Sequence, residues 1–374
     1  MSDVPHLRFP EFCGEWEETT LGKISEITKG SGISKDQLSE QGSPCILYGE
    51  LYTKYKSEII DEVYSRTELD SSSLVKSKAN DVIIPCSGET AIDISTARCV
   101  PFNNILLGGD LNIIRLNQDD GGFFAYQLNG ARKKDIARVA QGVSVVHLYG
   151  ENLKHIRVYH PVVEEQKKIT RLLSLIDERI ATQNKIIEKL QSLIKGLVDE
   201  LMTVLLKGKL YPFSSFYIKA GEGGTPTTSV VEYYTEGTIP FIKIEDLSCK
   251  YLTNNKDFIT ELGMQKSSAW LIPSKSVIYS NGATIGAISI NEYPVCTKQG
   301  ILGIVPSTNI NVEYLYLLMS SSYFSKEISR IITEGTMKTA YLKDINHIKC
   351  PLPSMAQQKN ITNLTSSIEE KLSI

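Results

Sequence analysis

The sequence predicts an α+β protein in which two similar β-rich domains are joined by long helices packing as an antiparallel coiled coil. The stretch PVVEEQKKITRLLSLIDERI (161–180) returns 192 residues later as PSMAQQKNITNLTSSIEEKL (353–372), with nine of twenty positions identical. A repeat of so long a period indicates two large similar units rather than a solenoid. Short Val/Ile/Tyr-rich runs alternate with Gly, Asn, Ser and Pro clusters, which is typical of β-rich domains with long loops.

The composition is that of a globular chain with room for two domains and a connector. It has 374 residues, 41% apolar and 22% charged, with a formal net charge of −3. This charge gives no basic footprint of a simple nucleic-acid binder, but it does not exclude charge segregated on one face. The apolar runs are far shorter than the roughly 20 residues of a membrane span. The N-terminus lacks a signal-peptide pattern, so we expect a cytoplasmic protein without membrane contact.

The seven cysteines are scattered without CxxC spacing, which favours reduced thiols over disulfides or a zinc site. The repeat continues upstream of the opening stretch: PCILYGEL (44–51) matches PFIKIEDL (240–247), and DVIIPCSGET (81–90) resembles SVIYSNGAT (276–284). GGDLNIIRL (108–116) resembles KQGILGIVP (298–306). We therefore divide the chain into a first domain at 1–160, a first spacer helix at 161–207, a second domain at 208–352 and a short second helix at 353–374.

The connector carries a heptad seam, which predicts a helix of about 40 residues that needs a partner helix. The one polar interruption is Gln183. An alternative is that the helix packs on its own domain. The predicted seam residues are Ile169, Leu173, Ile176, Ile180, Ile187, Leu190, Ile194, Leu197 and Leu201, with Ile361, Ile368 and Leu372 on the second helix.

The second helix is shorter than the first in this sequence. Leu372 corresponds to Ile180, so the second copy lacks the equivalent of about 25 residues. We therefore expect the distal half of the first helix, Leu190 to Val204, to be partly unpaired within the chain. That half would then be open to the N-terminal segment, to a partner, or to self-association with another copy.

Several motifs recur along the chain in the order domain, helix, domain, helix. Each domain closes with a Pro-x₄-Gln-Lys-x-Ile helix start. The other motifs are LRFPEFCGEWEETTLGKI (7–24), TKGSG (28–32), GEGGTPTT (221–228), GTIPFIKIEDL (237–247), SNGATIG (280–286) and GTMKTAYLKDINHIKCPLP (335–353). No single motif is very specific, but in their duplicated order they resemble the specificity (S) subunit of type I restriction-modification enzymes.

The resemblance implies a non-catalytic subunit whose two target-recognition domains each read one half of a split, asymmetric site in double-stranded DNA. The helices would set the unread spacer between the halves, as dimer geometry fixes half-site spacing in other DNA-binding proteins. The helices would also dock two methyltransferase subunits, to which two restriction/translocase subunits add. S-adenosylmethionine, ATP and Mg²⁺ would then belong to those partners and not to this chain.

Catalytic signatures are missing from the sequence, so we predict no catalytic residue, cofactor ligand or metal ligand. It contains no G-x₄-GK[ST] phosphate loop, no Asp/Asn-Pro-Pro-aromatic run and no HExxH. The tripeptide Glu165-Gln166-Lys167 mimics a nuclease E-x-K signature, but its repeat counterpart Gln357-Gln358-Lys359 lacks the carboxylate. The tripeptide is better interpreted as a helix start, where acidic residues favour the dipole.

DNA contacts are expected from amide, hydroxyl, carboxylate and cationic side chains in the loops, since these groups read base edges. We expect Gly30, Gly32, Gly223 and Gly224 to shape those loops rather than touch DNA. The candidates are Lys29, Ser31, Tyr48, Glu50, Ser87, Glu89, Thr90 and Arg98 in the first domain, and Thr225, Thr227, Lys243, Glu245, Asn281, Thr284, Lys298, Gln299, Lys338 and Thr339 in the second.

Two other classes of protein remain as alternatives. A two-headed protein-binding adaptor would use the coiled coil as a spacer, and the acidic net charge suits it. A positive strip across both domains would instead favour DNA reading. A hydrolase or transferase with its site between the domains would need converging catalytic groups, which the sequence does not offer.

Overall fold

A computed structural model describes residues 8–282, 284–332 and 338–370 of the chain. The chain divides into two compact units, Met1–Gln183 and Asn184–Ile374. The division falls inside the longest helix, at the polar residue that interrupts the predicted seam. The β-rich part of each unit is termed here the first head and the second head.

The first unit consists of short strands, short helices and the first part of the longest helix. Its strands are β1 (Glu17–Thr20), β2 (Ser25–Lys29), β3 (Ser43–Ile46), β4 (Ser65–Thr67), β5 (Asp81–Pro85), β6 (Ser87–Gly88), β7 (Arg98–Val100), β8 (Leu106–Leu107), β9 (Leu111–Leu116), β10 (Val146–His147) and β11 (Arg157–His160). Its helices are α1 (Leu21–Ile24), α2 (Glu50–Thr53), α3 (Gly121–Asn129), α4 (Lys133–Val139), α5 (Gly150–Lys154) and the start of α6 (Val163–Leu205).

The second unit repeats this series of elements after the end of α6. Its strands are β12 (Leu210–Pro212), β13 (Tyr217–Glu222), β14 (Ile239–Ile242), β15 (Tyr251–Leu252), β16 (Asp257–Ile259), β17 (Val277–Ser280), β18 (Ile288–Asn291), β19 (Cys296–Thr297), β20 (Ile301–Pro306) and β21 (Lys349–Pro351). Its helices are α7 (Glu261–Gln265), α8 (Val312–Ser320), α9 (Ser322–Ile331), α10 (Leu342–Ile345) and α11 (Met355–Glu369).

The two heads share one sheet topology. The main sheet of the first head has the strand order β2-β9-β5-β7, and that of the second head has β13-β20-β17-β18 with β15 added at the edge. The smaller sheets, β4-β3-β8 and β16-β14-β19, each pair one antiparallel and one parallel neighbour with the middle strand. The predicted duplication and the α+β fold class are therefore confirmed.

The strand in the middle of each main sheet is buried on both faces. In the first head, Val82 and Ile84 belong to the core beneath the helices, whereas Ile83 belongs to the core facing the smaller sheet. Successive side chains of a strand point to opposite faces, so a continuous apolar run is what a doubly covered strand requires. In the second head, Val277 and Ile278 divide between two cores in the same way.

The glutamine of each helix-start motif is a buried clamp between helix and head. Gln166 is fully buried, and its Oε1 accepts a hydrogen bond from the backbone N of Asp120 (2.9 Å). Its Nε2 donates to Asp119 Oδ1 (2.7 Å) and to the carbonyl oxygen of Pro161 (2.9 Å). Asp120 in turn caps α3 by accepting from the backbone N of Phe123 (2.8 Å). The start of α6 is thus joined to the start of a helix in the head.

Gln358 makes the same clamp in the second unit. It is fully buried, accepts from the backbone N of Asn311 (2.8 Å), and donates to the carbonyl oxygens of Asn309 (3.0 Å) and Pro353 (2.9 Å). Asn311 caps α8 by accepting from the backbone N of Glu313 (2.9 Å). The motif that the sequence interprets as a helix start is therefore also the attachment point of that helix.

An acid–histidine pair lies beside the first clamp. Asp119 Oδ1 is 3.3 Å from His160 Nδ1 and also accepts from Gln166. Burial alone would raise the pKa of Asp119, but its hydrogen bonds with His160 and Gln166 outweigh burial and hold that pKa below its usual value. The same hydrogen bond raises the pKa of His160, against a smaller opposing effect of burial.

The apolar contacts of α6 with the described part of the first head lie near the beginning of the helix. Ile169 lies against the core of the first head, and Leu173 lines a small cavity together with Trp16 and Phe123. Ile176 and Ile180 are 46% and 54% exposed. In the described part of the chain, no helix is both long enough and apolar enough to cross a membrane.

The distal half of α6, which the sequence predicts to be partly unpaired within the chain, packs on the second head along one face. Val198 is 5% exposed and Met202 1%, and both belong to the core of the second head. Val204, at the end of this half, is 61% exposed. The stripe on the second head contains the seam residues Ile194 and Leu201 and is wider than the heptad seam, because a helix lying on a domain follows the 3.6-residue period rather than the 3.5-residue coiled-coil period.

The remaining seam residues divide into three groups. Ile187 is 37% exposed, Leu190 and Leu197 are half-buried, and Ile194 and Leu201 pack on the core of the second head. On α11, Ile361 is buried in that core and Ile368 is half-buried. Glu369 of α11 lines a small cavity with Gln191 and Ile194 of α6, so the two helices approach each other within this unit. Leu372 lies outside the described residues.

Replacing the first clamp, Gln166→Leu, should destabilise the first unit by about 2 kcal/mol or more. The change leaves the backbone N of Asp120 and the carbonyl of Pro161 buried without their partner, and each such group costs about 1–3 kcal/mol. The exposed neighbour offers a matched control: Lys167→Ala should change stability by no more than about 0.5 kcal/mol. Urea unfolding followed by circular dichroism measures both, and equal stability of the two variants would contradict the clamp.

The Asp119–His160 pair should stabilise the first unit mainly between about pH 4 and 6.5. The contribution of His160, whose pKa is raised on folding, is lost as pH rises through its folded-state pKa. The contribution of Asp119, whose pKa is lowered, is lost as pH falls through its folded-state pKa. Melting temperatures of wild type and His160→Gln should differ most near pH 5–6 and converge toward pH 9. The exposed His147→Gln is the control, and a pH-independent difference for His160→Gln would refute the prediction.

Candidate nucleic-acid interface

Four backbone hydrogen bonds in the first head bring its predicted recognition loops together. They connect the Gly loop after β2, the turn before β9, the turn after β5 and the loop before α5. This set of bonds is termed the loop frame. Its donor and acceptor pairs are Gly30 N to Leu111 O (3.0 Å), Gly108 N to Ile46 O (2.9 Å), Cys86 N to Asp110 O (2.7 Å) and Leu148 N to Cys86 O (2.7 Å).

The second head has the same loop frame at the positions that the repeat makes equivalent. Its pairs are Gly223 N to Ile301 O (2.9 Å), Lys298 N to Ile242 O (2.9 Å), Asn281 N to Gly300 O (3.0 Å) and Ala340 N to Asn281 O (2.9 Å). Gln299 adds a backbone hydrogen bond to Thr225 Oγ1 (3.3 Å). Sequence segments that are far apart in the chain therefore meet on one surface of the second head.

The two loop frames present different side chains. The exposed carboxylate of Asp110 in the first head occupies the place of a glycine in the second, whereas two glycines of the first head are replaced by exposed Lys and Gln. The four backbone hydrogen bonds are retained, while the charges and hydrogen-bonding groups of the side chains change. The equivalent pairs, first head before second, are Gly108 and Lys298, Gly109 and Gln299, Asp110 and Gly300, and Cys86 and Asn281.

Close backbone approach explains most of the loop glycines. A Cβ at Gly30 would lie 2.0 Å from the carbonyl oxygen of Gly108, and one at Gly223 would lie 2.1 Å from that of Thr297. A Cβ at Gly224 would lie 2.3 Å from Ser268 Oγ. These three glycines shape the loops, as the sequence predicts. Gly32 differs, because no heavy atom lies within 4 Å of its Cβ position.

Most predicted contact residues lie on the surface of the heads. Solvent can reach their polar groups, and their assignment as DNA contacts stays a prediction. The exposed residues are Lys29, Tyr48, Glu89, Thr90, Thr227, Glu245, Thr284, Lys298, Gln299 and Lys338. The half-buried residues are Ser31, Ser87, Thr225, Lys243 and Thr339.

Two candidates in the first head are internal, which corrects their assignment as contacts. Glu50 is 6% exposed and accepts hydrogen bonds from Lys54 Nζ (2.6 Å), Ser65 Oγ and the backbone N of Leu47 (3.0 Å). Its carboxylate holds the turn after β3. The sequence pattern of a polar residue after a strand does not distinguish this role from base reading.

Arg98 is the second internal residue of the first head. It is 7% exposed and donates to the carbonyl oxygens of Leu51 (3.1 Å) and Tyr55 (2.7 Å). Burial lowers the pKa of its guanidinium, an effect that Glu58 opposes. A guanidinium used in this way fastens α2 to the sheet and is withdrawn from any ligand.

Asn281 in the second head is also buried, at 1% exposure. Its Nδ2 donates to the carbonyl oxygen of Ala340 (3.1 Å), beside the backbone hydrogen bond between the same two residues. The residue is therefore part of the loop frame rather than a contact residue. Its predicted neighbour Thr284 remains exposed on the same turn.

A cleft of about 1020 Å³ in the first head contains polar residues that the sequence interpretation missed. It is lined by Tyr48 and Gly32, which lie in predicted segments, and by Lys35, Gln37 and Asp110. The repeat itself could have identified Asp110. In the alignment of the two copies, Asp110 is equivalent to Gly300, which directly follows the two predicted contacts Lys298 and Gln299. Lys35 and Gln37 lie in a short 3₁₀ helix outside the segments in which the sequence shows the repeat, and the second head has an equivalent 3₁₀ helix at Val231–Tyr233.

Potential metal ligands and the acid of the E-x-K tripeptide can be located in the part of the chain that is described. No group of three or more His, Cys, Asp or Glu residues there could hold a metal ion. Glu165, the acid of the E-x-K tripeptide, is fully buried and accepts two hydrogen bonds of 2.6 Å from Arg8. Its role is an internal ion pair at the start of α6.

Two copies of one domain, each carrying a loop frame with different exposed side chains, define a two-headed recognition protein. The type I restriction modification DNA specificity domain family matches the chain twice, over residues 14–192 and 216–374. The chain belongs to this family, whose role is DNA recognition. The adaptor alternative is not favoured by this finding.

Similar proteins carry the same description. The type I restriction enzyme MjaVIII specificity subunit of Methanocaldococcus jannaschii is 23% identical over 396 residues, covering 98% of this chain and 88% of that protein. The EcoR124I/EcoR124II specificity subunit of Escherichia coli is 28% identical over 163 residues, covering 40% of each chain.

Solved structures share the fold. The S subunit of a type I restriction-modification system from M. genitalium superposes with a TM-score of 0.63 at 18% identity, covering 99% of this chain and 93% of that one. A chain from a structure concerned with complex assembly and conformational transition of a type I system gives a TM-score of 0.55 at 14% identity, with the same coverage. The predicted fold of two heads with long helices is thereby supported along the whole chain.

Removing an exposed cation from the second loop frame should reduce the salt dependence of DNA binding. If Lys298 neutralises one phosphate, Lys298→Ala lowers the magnitude of the slope of log K against log salt by about 0.9. The matched control is Lys275→Ala at the opposite end of β17, where the lysine is already paired with Glu292 (2.6 Å). Filter binding or fluorescence anisotropy at several salt concentrations measures the slopes, and equal slopes for the two variants would remove Lys298 from the interface.

Proposed function

We propose that each head reads one half of a split, asymmetric site in double-stranded DNA and that the helices set the unread spacer. The observation that carries this proposal is the duplicated loop frame with different side chains. Equivalent backbone hydrogen bonds hold the loops of each head in corresponding positions, so both heads approach DNA in the same way. Different side chains at equivalent positions, such as Asp110 against Gly300, make the base sequences that the two heads accept different.

The chain acts in this proposal as a non-catalytic subunit of a larger enzyme. Two methyltransferase subunits and two restriction/translocase subunits supply the chemistry, and S-adenosylmethionine, ATP and Mg²⁺ bind to them. The complex works in the cytoplasm, where the cell's DNA is accessible. The net charge of −3 fits a subunit that leaves many phosphate contacts to its partners.

The exposed apolar face of α6 supports docking of the methyltransferase subunits. Ile176 and Ile180, four residues apart on α6, are 46% and 54% exposed. Contiguous exposed apolar surface marks interaction sites. A methyltransferase subunit packing on this face would cover both side chains. Self-association through the distal half of α6 is less favoured, because Val198 and Met202 there are already buried against the second head.

The test is genome-wide methylation mapping in cells that co-express this chain with its cognate methyltransferase subunit. We expect a bipartite adenine-methylated motif that disappears when the chain is omitted. A chain whose second head is exchanged for that of a relative should change one half of the motif only. The Gln299→Ala variant should relax discrimination in the same half, by about 1–3 kcal/mol at one base pair.

Two outcomes would contradict the proposal. A purified complex of normal stability that leaves no bipartite motif would exclude split-site reading. A head exchange that alters both halves of the motif would exclude independent reading by the two heads. Failure of the chain to bind the methyltransferase subunit would return the adaptor alternative to consideration.

A further inference from the structure

A second attachment between helix and head, termed here a tie, follows each glutamine clamp at the same interval along the sequence. Asp177 lies eleven residues after Gln166 on α6, and its Oδ2 accepts a hydrogen bond from Tyr126 Oη on α3 (2.6 Å). Eleven residues are close to three helical turns, so Asp177 and Gln166 lie on one face of the helix. The head therefore has, beyond the clamp and the hydrogen bond from Thr170 Oγ1 to Asp120 Oδ1 (2.6 Å), a further polar contact with α6 about 16 Å along the helix axis from Gln166.

The second unit has a carboxylate at the equivalent place. Glu369 lies eleven residues after Gln358 on α11, and its Oε2 accepts from Lys250 Nζ (2.6 Å). Lys250 also pairs with Glu313 of α8 (2.7 Å), and its side chain is 13% exposed. The ring of Tyr316 on α8 lies 5.5 Å from its ammonium group. The tie is made from different residues than in the first unit, but it joins the same two parts.

The chemistry of the two ties differs while their position is retained. The first is one hydrogen bond between a tyrosine and a carboxylate, and the second is a lysine between two carboxylates. Burial and the bond to Asp177 both raise the pKa of Tyr126, so its hydroxyl stays protonated and donates across the neutral range. Both ties lie eleven residues after the clamp, although they are made from different chemical groups. This points to a geometric role rather than to the strength of one particular contact.

We propose that Asp177 and Glu369 are positioning residues that fix the orientation of each head on its helix and thereby set how strictly one spacer length is accepted. This inference rests on the proposed reading of a split site. Without these ties, the contacts of each head with its helix are concentrated near the start of the helix, which leaves the head more freedom to pivot. A pivot of roughly 10° moves a point 20 Å away by about 3.5 Å, which matches the spacing of about 3.4 Å between successive nucleotides. The tie removes that freedom.

The experiment measures spacer preference with the complete chain bound to its methyltransferase subunit. Duplexes carry both half-sites separated by the native spacer, or by one base pair fewer or more, and the ratio of affinities is the readout. Tyr126→Phe and Asp177→Ala each remove the first tie and should lower the preference for the native spacer about threefold to tenfold, as expected for one hydrogen bond. Asp177→Asn keeps an acceptor oxygen and should retain the wild-type ratio.

The second tie and a control complete the design. Lys250→Met should lower the ratio as well, and Glu369→Ala replaces it if the methionine variant does not fold. Tyr217→Phe removes a comparable hydrogen bond, to Asn346 Oδ1 (2.7 Å), that lies wholly inside the second head. It should leave the spacer ratio unchanged even where it lowers stability.

The outcomes separate this inference from the function on which it rests. Unchanged spacer ratios in folded Tyr126→Phe and Lys250→Met, with lowered stability to urea, would show a purely structural tie and overturn the inference. Equal losses of spacer preference in Tyr217→Phe would also overturn it. If the wild-type complex binds no duplex that carries both half-sites, whatever the spacer length, the proposed function fails first, and the inference fails with it.

Discussion

A buried amide at the start of each long helix is the interaction on which the rest of the structure depends. The side chains of Gln166 and Gln358 are each surrounded by one donor and two acceptors, and no water-accessible alternative is available to these groups once buried. An amide satisfied on both sides is compatible with one rotation of the helix about its axis. That rotation decides which helical face meets the head and where the later carboxylates, Asp177 and Glu369, fall.

Each head holds several long loops in fixed positions without a large core beneath each loop. The central strands are covered on both faces, so their ends are rigid points from which the turns begin. Backbone hydrogen bonds then join turn to turn, and glycines such as Gly223 allow the backbones to approach closely enough. Recognition surfaces built on rigid scaffolds in this way are common among binding proteins.

The sequence predicted the repeat, the strands and the helix starts correctly, because these depend on local patterns that survive divergence. It did not predict which polar loop residues are internal: Glu50, Arg98 and Asn281 look like their exposed neighbours until tertiary contacts are known. The heptad pattern contains residues that pack on both heads, Ile169 on the first and Ile194 and Leu201 on the second, but it does not contain Val198 and Met202, which packing on the second head buries. The role of the motif glutamines needed the structure, since their partners lie about 47 residues away along the chain.

The loop frame also bears on how such a protein changes over generations. Because its four bonds in each head involve main-chain atoms, a substitution at Lys298 or at Asp110 leaves them in place. Mutations at these positions therefore escape the selection against unfolding that acts on Gln166 or Val82. Each head can drift toward a new preference while its twin keeps the old one, and the number of attainable combinations grows as the product of the two.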